Sequence, residues 1–149
     1  MDITAVIKKD NIIFNLEGKN KTDAITQLAQ CLLKNRVITD LNGFVADVLK
    51  REEEFSTGIG FGLAIPHAKS VYVTKTAVAV GKLNTAIGYN TADNEKVKLL
   101  FLIAVPEKGG NEHLNILSQL SRKFMDESFR HRLDLARNSE EIIRCLMDN

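Results

Sequence analysis

The feature that most restricts the possible folds is the apolar run from Lys98 to Val105. After its first lysine the run contains no polar side chain. A strand with one face in water alternates apolar and polar residues, whereas a strand covered on both faces reads as a continuous apolar run. We therefore predict a buried strand, ended by Pro106, in a sheet with other elements packed on both sides.

Patterns on either side of this strand predict helices and further strands in a chain of single-domain length, 149 residues. Helical spacing of apolar residues predicts helices after the capping residue Asn20, near Asp40, and over the segment that carries Leu114, Leu117, Leu120 and Phe124 on one apolar face. Two further helices are predicted around Asp126 to Ala136 and from Ser139, which should act as a cap. Short β-prone runs predict strands at residues 12–14, 63–65 and 76–83. Together they indicate an α/β fold, a single-domain layered structure with a mixed β-sheet flanked by α-helices.

The charge balance and the termini exclude several classes of function. Lysines and arginines number 20 against 19 acids, so no overall field favours nucleic acid or an anionic membrane. No signal-like segment opens the chain and no apolar run approaches the ~18 residues of a membrane span, so we expect a cytoplasmic protein. Cys31 and Cys145 form no C-x-x-C pair and lie among apolar residues, which predicts buried free thiols.

The stretch from Arg51 to Ser70 carries the strongest functional signal. Three glycines alternate in the sequence Gly-Ile-Gly-Phe-Gly that begins at Gly58, and they predict a flexible loop. An apolar run leads from this loop into a short strand, which Pro66 should end. His67 follows at once, so we expect it just past a strand end, at a surface that a partner can reach.

A histidine in this position can act as a nucleophile. Neutral imidazole has a pKa near ~6.5 and presents a free lone pair, so His67 needs no separate base. A phosphoryl group on its ring would bring up to about two negative charges, which must be met by donors. The sequence offers His113 in the first turn of a helix, the guanidinium of Arg51, and the loop amides with Ser56 and Thr57.

Each of these residues also has a plainer interpretation. A lone histidine more often has a packing or surface role. Arg51 could lie at a solvated helix end and pair with the glutamates at 52–54, and Nδ1 of His113 could bond to the backbone at the helix start. The combination of alternating glycines, strand, proline and histidine favours the functional interpretation.

Other chemistries fit the sequence less well. His113 follows a glutamate but has no second histidine at the H-E-x-x-H spacing, so we expect no zinc site. The chain has neither a Walker-type G-x-x-x-x-G-K-[ST] motif nor a G-x-S-x-G elbow, and its glycine series precedes a strand rather than following one. By elimination, the phosphoryl donor should be a phosphorylated protein or small molecule rather than ATP.

The residues from Arg51 to His67 resemble a known family. The sequence Ser-Thr-Gly-Ile-Gly-Phe-Gly-Leu-Ala-Ile-Pro-His is its most specific part, followed by a strand ending at Pro106 and a helix led by His113. In this order they are similar to the IIA domains of the bacterial phosphoenolpyruvate-dependent sugar phosphotransferase system (PTS), fructose/mannitol type. The resemblance covers nearly the whole chain, so residues 1–149 are interpreted as one EIIA type-2 domain.

The resemblance implies a mechanism and partners. His67 would accept a phosphoryl group at Nε2 from the phosphocarrier protein HPr and pass it to a cysteine of an EIIB domain, which works with a membrane EIIC in sugar uptake. His113 and Arg51 would stabilise the phosphate with support from Thr57, and neither a cofactor nor a metal is implied. Ala68 departs from the glycine that often follows the histidine, a change that should matter little.

The family includes fructose, mannitol, galactitol and nitrogen-regulatory members, and the run at residues 101–107 is most similar to the fructose branch. The alternative function is therefore a regulatory binding module whose phosphorylation state selects its partner proteins. The identity of the sugar, the oligomeric state and the arrangement of the partner domains stay open.

Overall fold

A six-stranded mixed sheet with helices on both faces forms the framework in the computed structural model, which describes residues 2–91 and 93–147. The strands are Ile7–Leu16 (β1), Gly58–Gly60 (β2), Leu63–Ala64 (β3), His67–Ser70 (β4), Ala77–Ile87 (β5) and Val97–Pro106 (β6). The helices are Lys21–Lys34 (α1), Leu41–Glu54 (α2), Glu112–Phe124 (α3), Glu127–Leu135 (α4) and Ser139–Met147 (α5), after a 3₁₀ turn at Ile3–Ala5. The predicted α/β fold with a mixed, helix-flanked sheet is confirmed.

The sheet order places β6 at the centre. The order is β1-β5-β6-β3-β2, with β4 also paired to β6. The β1–β5, β3–β6 and β4–β6 pairs are parallel, while β5–β6 and β2–β3 are antiparallel. Strand β6 therefore has neighbours along both edges, as the apolar run at residues 98–105 requires.

Side chains of β6 alternate between two hydrophobic cores. Leu100 and Leu102 join the core under α1 and α2, together with Phe44 and others. Phe101 and Ile103 join the core on the opposite face, which α3, α4 and α5 cover. These four β6 residues are fully buried, so the prediction of a strand covered on both faces is confirmed.

Two local predictions were wrong. The glycine-rich segment is not a flexible loop, because Gly58 pairs with Ala64 in a short antiparallel ladder between β2 and β3. The tight turn of this hairpin uses positive φ at Gly60 (95°) and Gly62 (77°), where a side chain would be strained. In α3, Leu120 and Phe124 are buried as predicted, but Leu114 is 54% exposed, and Ile116 completes the inward face in its place.

The helix starts are capped partly as expected. The side chain of Asn20 accepts a hydrogen bond from the backbone N–H of Asp23, as predicted for α1. In α5 the cap is Asn138 rather than the predicted Ser139, since the Asn138 side chain accepts from the N–H of Glu141 at 2.9 Å. Within residues 2–91 and 93–147, the helices all fall short of the length and apolarity that crossing a bilayer requires.

Candidate active site

His67 lies in an edge strand that a proline interrupts. Leu63 pairs with Leu99 in β3 and His67 pairs with Ile103 in β4, the same offset in register, so β3 and β4 form one line along β6. Pro66 has no N–H, but its carbonyl accepts from the N–H of Ile103 at 2.9 Å and keeps the line in place. Strand β3 ends before Pro66, as predicted, but His67 does not lie past the end of the paired segment, because it is the first residue of β4.

Backbone contact fixes the imidazole ring of His67. Its Nδ1 lies 2.9 Å from the carbonyl oxygen of Ile65, which can only accept, so Nδ1 carries the proton. Its Nε2 then has a free lone pair and no hydrogen-bond partner among the described residues. The residue is 7% exposed, more buried than the sequence suggested. Its Nε2, however, is not fully buried. The ring therefore reaches solvent through this nitrogen.

Burial also sets the charge state of this ring. Desolvation lowers the pKa of His67 below its ordinary value, an effect that the hydrogen bond to Ile65 opposes. The nearby positive charge of Arg51 and the ring of His113 lower this pKa further, while the carboxylate of Glu52 raises it. The net effect favours the neutral, nucleophilic form at physiological pH.

His113 faces His67 from the first turn of α3, as predicted. The two ring centroids lie 6.4 Å apart and the planes are inclined by 28°. Nδ1 of His113 is buried with no hydrogen-bond partner, so it does not bond to the backbone at the helix start. A buried acceptor without a partner is less costly than a buried donor without one, which favours the tautomer with its proton on Nε2.

A lysine on β4 ties this helix start to the site. Nζ of Lys69 donates to the carbonyl of Gly110 at 2.7 Å, just before α3 begins. The positive charge of Lys69, after the larger effect of burial, contributes to a lowered pKa of His113. Sequence reasoning missed Lys69, although its position two residues after His67 on one strand places it on the same face.

Arg51 approaches the same site from the last turn of α2. Its Nη1 donates to the carbonyl of Phe55 at 2.9 Å, which folds the side chain along the end of the helix. Arg51 makes no ion pair with Glu52, Glu53 or Glu54 among the described residues, in contrast to the plainer interpretation of its sequence position. Its guanidinium thus keeps most of its donors unused.

These three side chains line one surface pocket of about 680 Å³. Its other lining residues are Asp47, Lys50, Glu54, Ala68, Lys69, Ser70, Val71 and Glu107. A larger groove of about 760 Å³, beside Phe61 and Arg130, is lined by neither histidine. The combination of unpartnered nitrogen atoms and a guanidinium, rather than size, identifies the pocket at His67 as the candidate site.

Thr57, the fourth predicted site residue, does not line this pocket. It is 5% exposed, and its hydroxyl contacts a carboxylate oxygen of Glu52 and, at 3.1 Å, the hydroxyl of Tyr89. Nζ of Lys21 lies 3.2 Å from the other carboxylate oxygen. Sequence reasoning missed this network, because only the fold brings Lys21 and Tyr89 to the end of α2.

Metal-ligating side chains do not cluster in the described part of the chain, where no group of three or more His, Cys, Asp or Glu could hold an ion.

Comparison with known proteins gives matches over almost the full chain. The family model described as "Phosphoenolpyruvate-dependent sugar phosphotransferase system, EIIA 2" matches residues 5–149. The PTS system fructose-specific EIIA component of Haloferax volcanii is 36% identical, over 95% of this chain and 92% of that protein. The fructose-specific EIIABC component of Bacillus subtilis is 37% identical over 96% of this chain, which spans only 22% of that protein.

The solved structures agree with these matches. The crystal structure of the nitrogen regulatory protein IIA-Ntr from Neisseria meningitidis superposes with a TM-score of 0.89 at 28% identity, over 97% of this chain and 99% of that chain. The resemblance that the glycine-to-histidine motif indicated is confirmed. The chain therefore belongs to the EIIA 2 family of the phosphoenolpyruvate-dependent sugar phosphotransferase system, whose members are phosphotransferase components that transfer phosphoryl groups through a histidine.

Proposed function

We propose that this chain is a phosphocarrier in which Nε2 of His67 takes a phosphoryl group from phospho-HPr and gives it to a cysteine of an EIIB domain. The transfer would be coupled, in the cytoplasm, to sugar uptake through a membrane EIIC. The observation that carries the proposal is the unpartnered Nε2 of a backbone-fixed imidazole, facing a pocket that it shares with Arg51 and His113.

The first transfer needs no base. The Nε2 lone pair attacks phosphorus, a new N–P bond forms, and the bond from phosphorus to the donor atom breaks, returning its electron pair to HPr. His67 keeps its proton on Nδ1, hydrogen-bonded to Ile65, so the phosphorylated ring becomes cationic. A cationic ring is a good leaving group, which keeps the phosphoryl group transferable.

The second transfer reverses the role of the ring. The thiolate sulfur of the EIIB cysteine attacks phosphorus, an S–P bond forms, and the N–P bond breaks with its electron pair returning to Nε2 of His67. The ring is then neutral again, with its proton still on Nδ1.

Three groups support stabilisation of the phosphate between these steps. The free guanidinium donors of Arg51 suit the oxygens of a dianion. An Nε2–H of His113 would donate from the opposite wall. Its backbone N–H at the start of α3 would be the third donor, because the neighbouring N–H groups of Glu112 and Leu114 already donate to Gly109 and Asn111. Thr57 would act only indirectly, by holding Glu52 and the end of α2.

The charges around the pocket favour release as well as binding. Three cationic side chains, Lys50, Arg51 and Lys69, are balanced by three acidic ones, Asp47, Glu54 and Glu107. A pocket with a large excess of positive charge would hold the dianion too firmly for onward transfer. This balance suits a carrier.

Exposed apolar side chains at the pocket offer a docking surface for the partner proteins. Val71 lines the pocket and is 66% exposed, and Leu114, next to His113, is 54% exposed. A carrier must release each partner, so the contact should be small, below roughly 1,200 Å² in total. The fructose names of the Haloferax volcanii and Bacillus subtilis relatives support fructose-type specificity.

The direct test is incubation with phosphoenolpyruvate, enzyme I and HPr, followed by mass spectrometry of the intact protein. We expect one added phosphate, labile in acid and stable in base. His67→Ala should take up none. His131→Ala is the matched control, because the third histidine of the chain is exposed on α4, and it should be labelled normally. Equal labelling of His67→Ala would contradict the proposal.

A regulatory role is the second candidate, favoured by the close superposition on the nitrogen regulatory protein IIA-Ntr. In this role the phosphorylation state of His67 would select a protein partner instead of serving transport. Capture of a transporter or kinase by one form only, with no transfer to any EIIB, would support it. Rapid transfer to a fructose-type EIIB would support the phosphocarrier.

A further inference from the structure

The carboxylate of Glu52 is buried and surrounded by donors. Its side chain is 4% exposed and faces Nζ of Lys21 at 3.2 Å. The hydroxyl of Tyr89 donates to Oε1 at 2.9 Å, and Thr57 donates through both its backbone N–H and its hydroxyl. Four donors on two oxygens are what an ionised carboxylate accepts, so this network is fully satisfied.

A continuous series of hydrogen bonds joins this carboxylate to the imidazole ring. The N–H of Thr57 donates to Oε2 of Glu52 at 3.2 Å, and the carbonyl of Thr57 accepts from the N–H of Ile65 at 3.0 Å. The carbonyl of Ile65 then accepts from Nδ1 of His67 at 2.9 Å. Ile65, whose carbonyl fixes the histidine tautomer, is therefore itself held by Thr57 through its own N–H.

We infer that Glu52 is a positioning residue which, through Thr57 and Ile65, holds His67 with its proton on Nδ1 and its Nε2 lone pair aimed into the pocket. The inference rests on the proposed function, because it explains how the phosphoryl acceptor is prepared. It also gives Thr57 a role in this series instead of direct contact with phosphate. Lys21 and Tyr89 hold the carboxylate in place.

The electrostatics around the ring agree with this role. The negative charge of Glu52 raises the pKa of His67 and so opposes the lowering caused by burial and by Arg51. Glu52 also follows Arg51 directly in α2, so the network anchors the helix turn that carries the guanidinium. One buried carboxylate thus serves both the nucleophile and its charged neighbour.

The first test compares conservative changes at Thr57. Thr57→Ser keeps the hydroxyl and should transfer phosphoryl groups at close to the wild-type rate. Thr57→Val keeps the backbone bonds of the series but removes the hydroxyl that fixes Thr57 on Glu52. It should therefore loosen the hold on Ile65 and lower the transfer rate about tenfold, with little change in KM for phospho-HPr. Thr91→Val is the matched control, since Thr91 is also 5% exposed and hydrogen-bonded but belongs to a different network.

A readout that does not depend on transfer is the nitrogen NMR spectrum of His67. The wild-type protein should show a single tautomer with the proton on Nδ1. Thr57→Val and Glu52→Gln should show a mixture of tautomers, and Glu52→Gln should also lower the pKa of the ring. Thr57→Ser and Thr91→Val should keep the single tautomer.

A double variant then tests whether the residues act as one unit. If they do, Thr57→Val combined with Glu52→Gln should lose little more activity than the stronger single change. Unaltered tautomer and pKa in both single variants, or losses that multiply in the double variant, would overturn the inference. Absence of labelling in the wild-type protein would overturn the proposed function instead, and the NMR result would still test the positioning role.

Discussion

Arg51 and Glu52 are neighbours in α2, yet they lie in two regions of opposite character. Arg51 borders the open pocket, where the Nε2 of His67 has no partner and Nδ1 of His113 is unpaired. Glu52 lies in a closed network whose donors and acceptors are matched. Buried polar groups are normally satisfied, so we expect the ligand to bind in the unsatisfied region, and we expect the satisfied region to keep that pocket in shape.

The largest expected effect is on stability and comes from the closed network. Glu52→Ala should lower the free energy of unfolding by about 3 kcal/mol, because it leaves Lys21, Thr57 and Tyr89 without their shared acceptor. Arg51→Ala should change it by no more than about 0.5 kcal/mol. Urea denaturation of both variants measures the difference. Equal losses in the two variants would remove the distinction between the regions.

A change in the open pocket should have a large effect on the rate of phosphoryl transfer, although it has little effect on stability. Arg51→Gln should lower the rate of transfer from phospho-HPr about a hundredfold, because it removes the charged donors aimed at the phosphate. Lys50→Gln is the matched control, as Lys50 lines the same pocket one residue earlier, and it should have a small effect. Rapid quench-flow labelling measures the transfer rates of both variants. Similar losses of rate in the two variants would mean that Arg51 contributes only its positive charge and no specific contact to the phosphate.

His113→Ala should have an intermediate effect. Loss of one neutral donor should slow transfer or shorten the life of the phosphorylated form about tenfold. The free energy of unfolding should change by less than about 1 kcal/mol, because the buried Nδ1 has no hydrogen bond to lose. Decay of the phosphorylated protein, followed by mass spectrometry, measures its lifetime. An unchanged lifetime and rate would return His113 to a packing role.

The smallest expected effect is a shift in titration. Burial lowers the pKa of His67, and only the deprotonated ring is a nucleophile, so the ring should stay active to a lower pH than a free imidazole. Arg51→Gln removes a cation and should raise this pKa, whereas Glu52→Gln removes an anion and should lower it. Proton NMR titration of the ring measures all three proteins. Shifts of the same sign in the two variants would contradict the assignment of the two regions.

Much of the fold follows from local sequence patterns. The apolar run of β6, the cap at Asn20 and the spacing of apolar residues in the helices depend on neighbours within a few positions, so they can be predicted. The strand in the glycine segment could not be predicted in this way, because Gly58 forms a strand only by pairing with Ala64. The alignment of β3 and β4 on either side of Pro66 likewise depends on their distant partner β6. Pairing across the sheet decided these cases over local propensity.

The pocket and the closed network also differ in how well the sequence predicts them. His67, His113 and Arg51 stand in motifs that chemistry makes recognisable, and the structure brings them to one pocket. From the sequence, Glu52 is interpreted as one of three solvated glutamates, because no neighbouring residue indicates that Lys21 and Tyr89 bury it in the fold. The residues proposed to contact phosphate are therefore recognisable in the sequence, whereas the residues proposed to support them are recognised only in the folded chain.

The central claim is that Nε2 of His67 carries the phosphoryl group while Nδ1 stays bonded to Ile65. The most direct measurement is nitrogen–phosphorus coupling by NMR on ¹⁵N-histidine-labelled protein phosphorylated through HPr. We expect coupling of phosphorus to Nε2 of His67, with the Nδ1 proton retained. Coupling to Nδ1 of His67, or to a nitrogen of another histidine, would contradict the account.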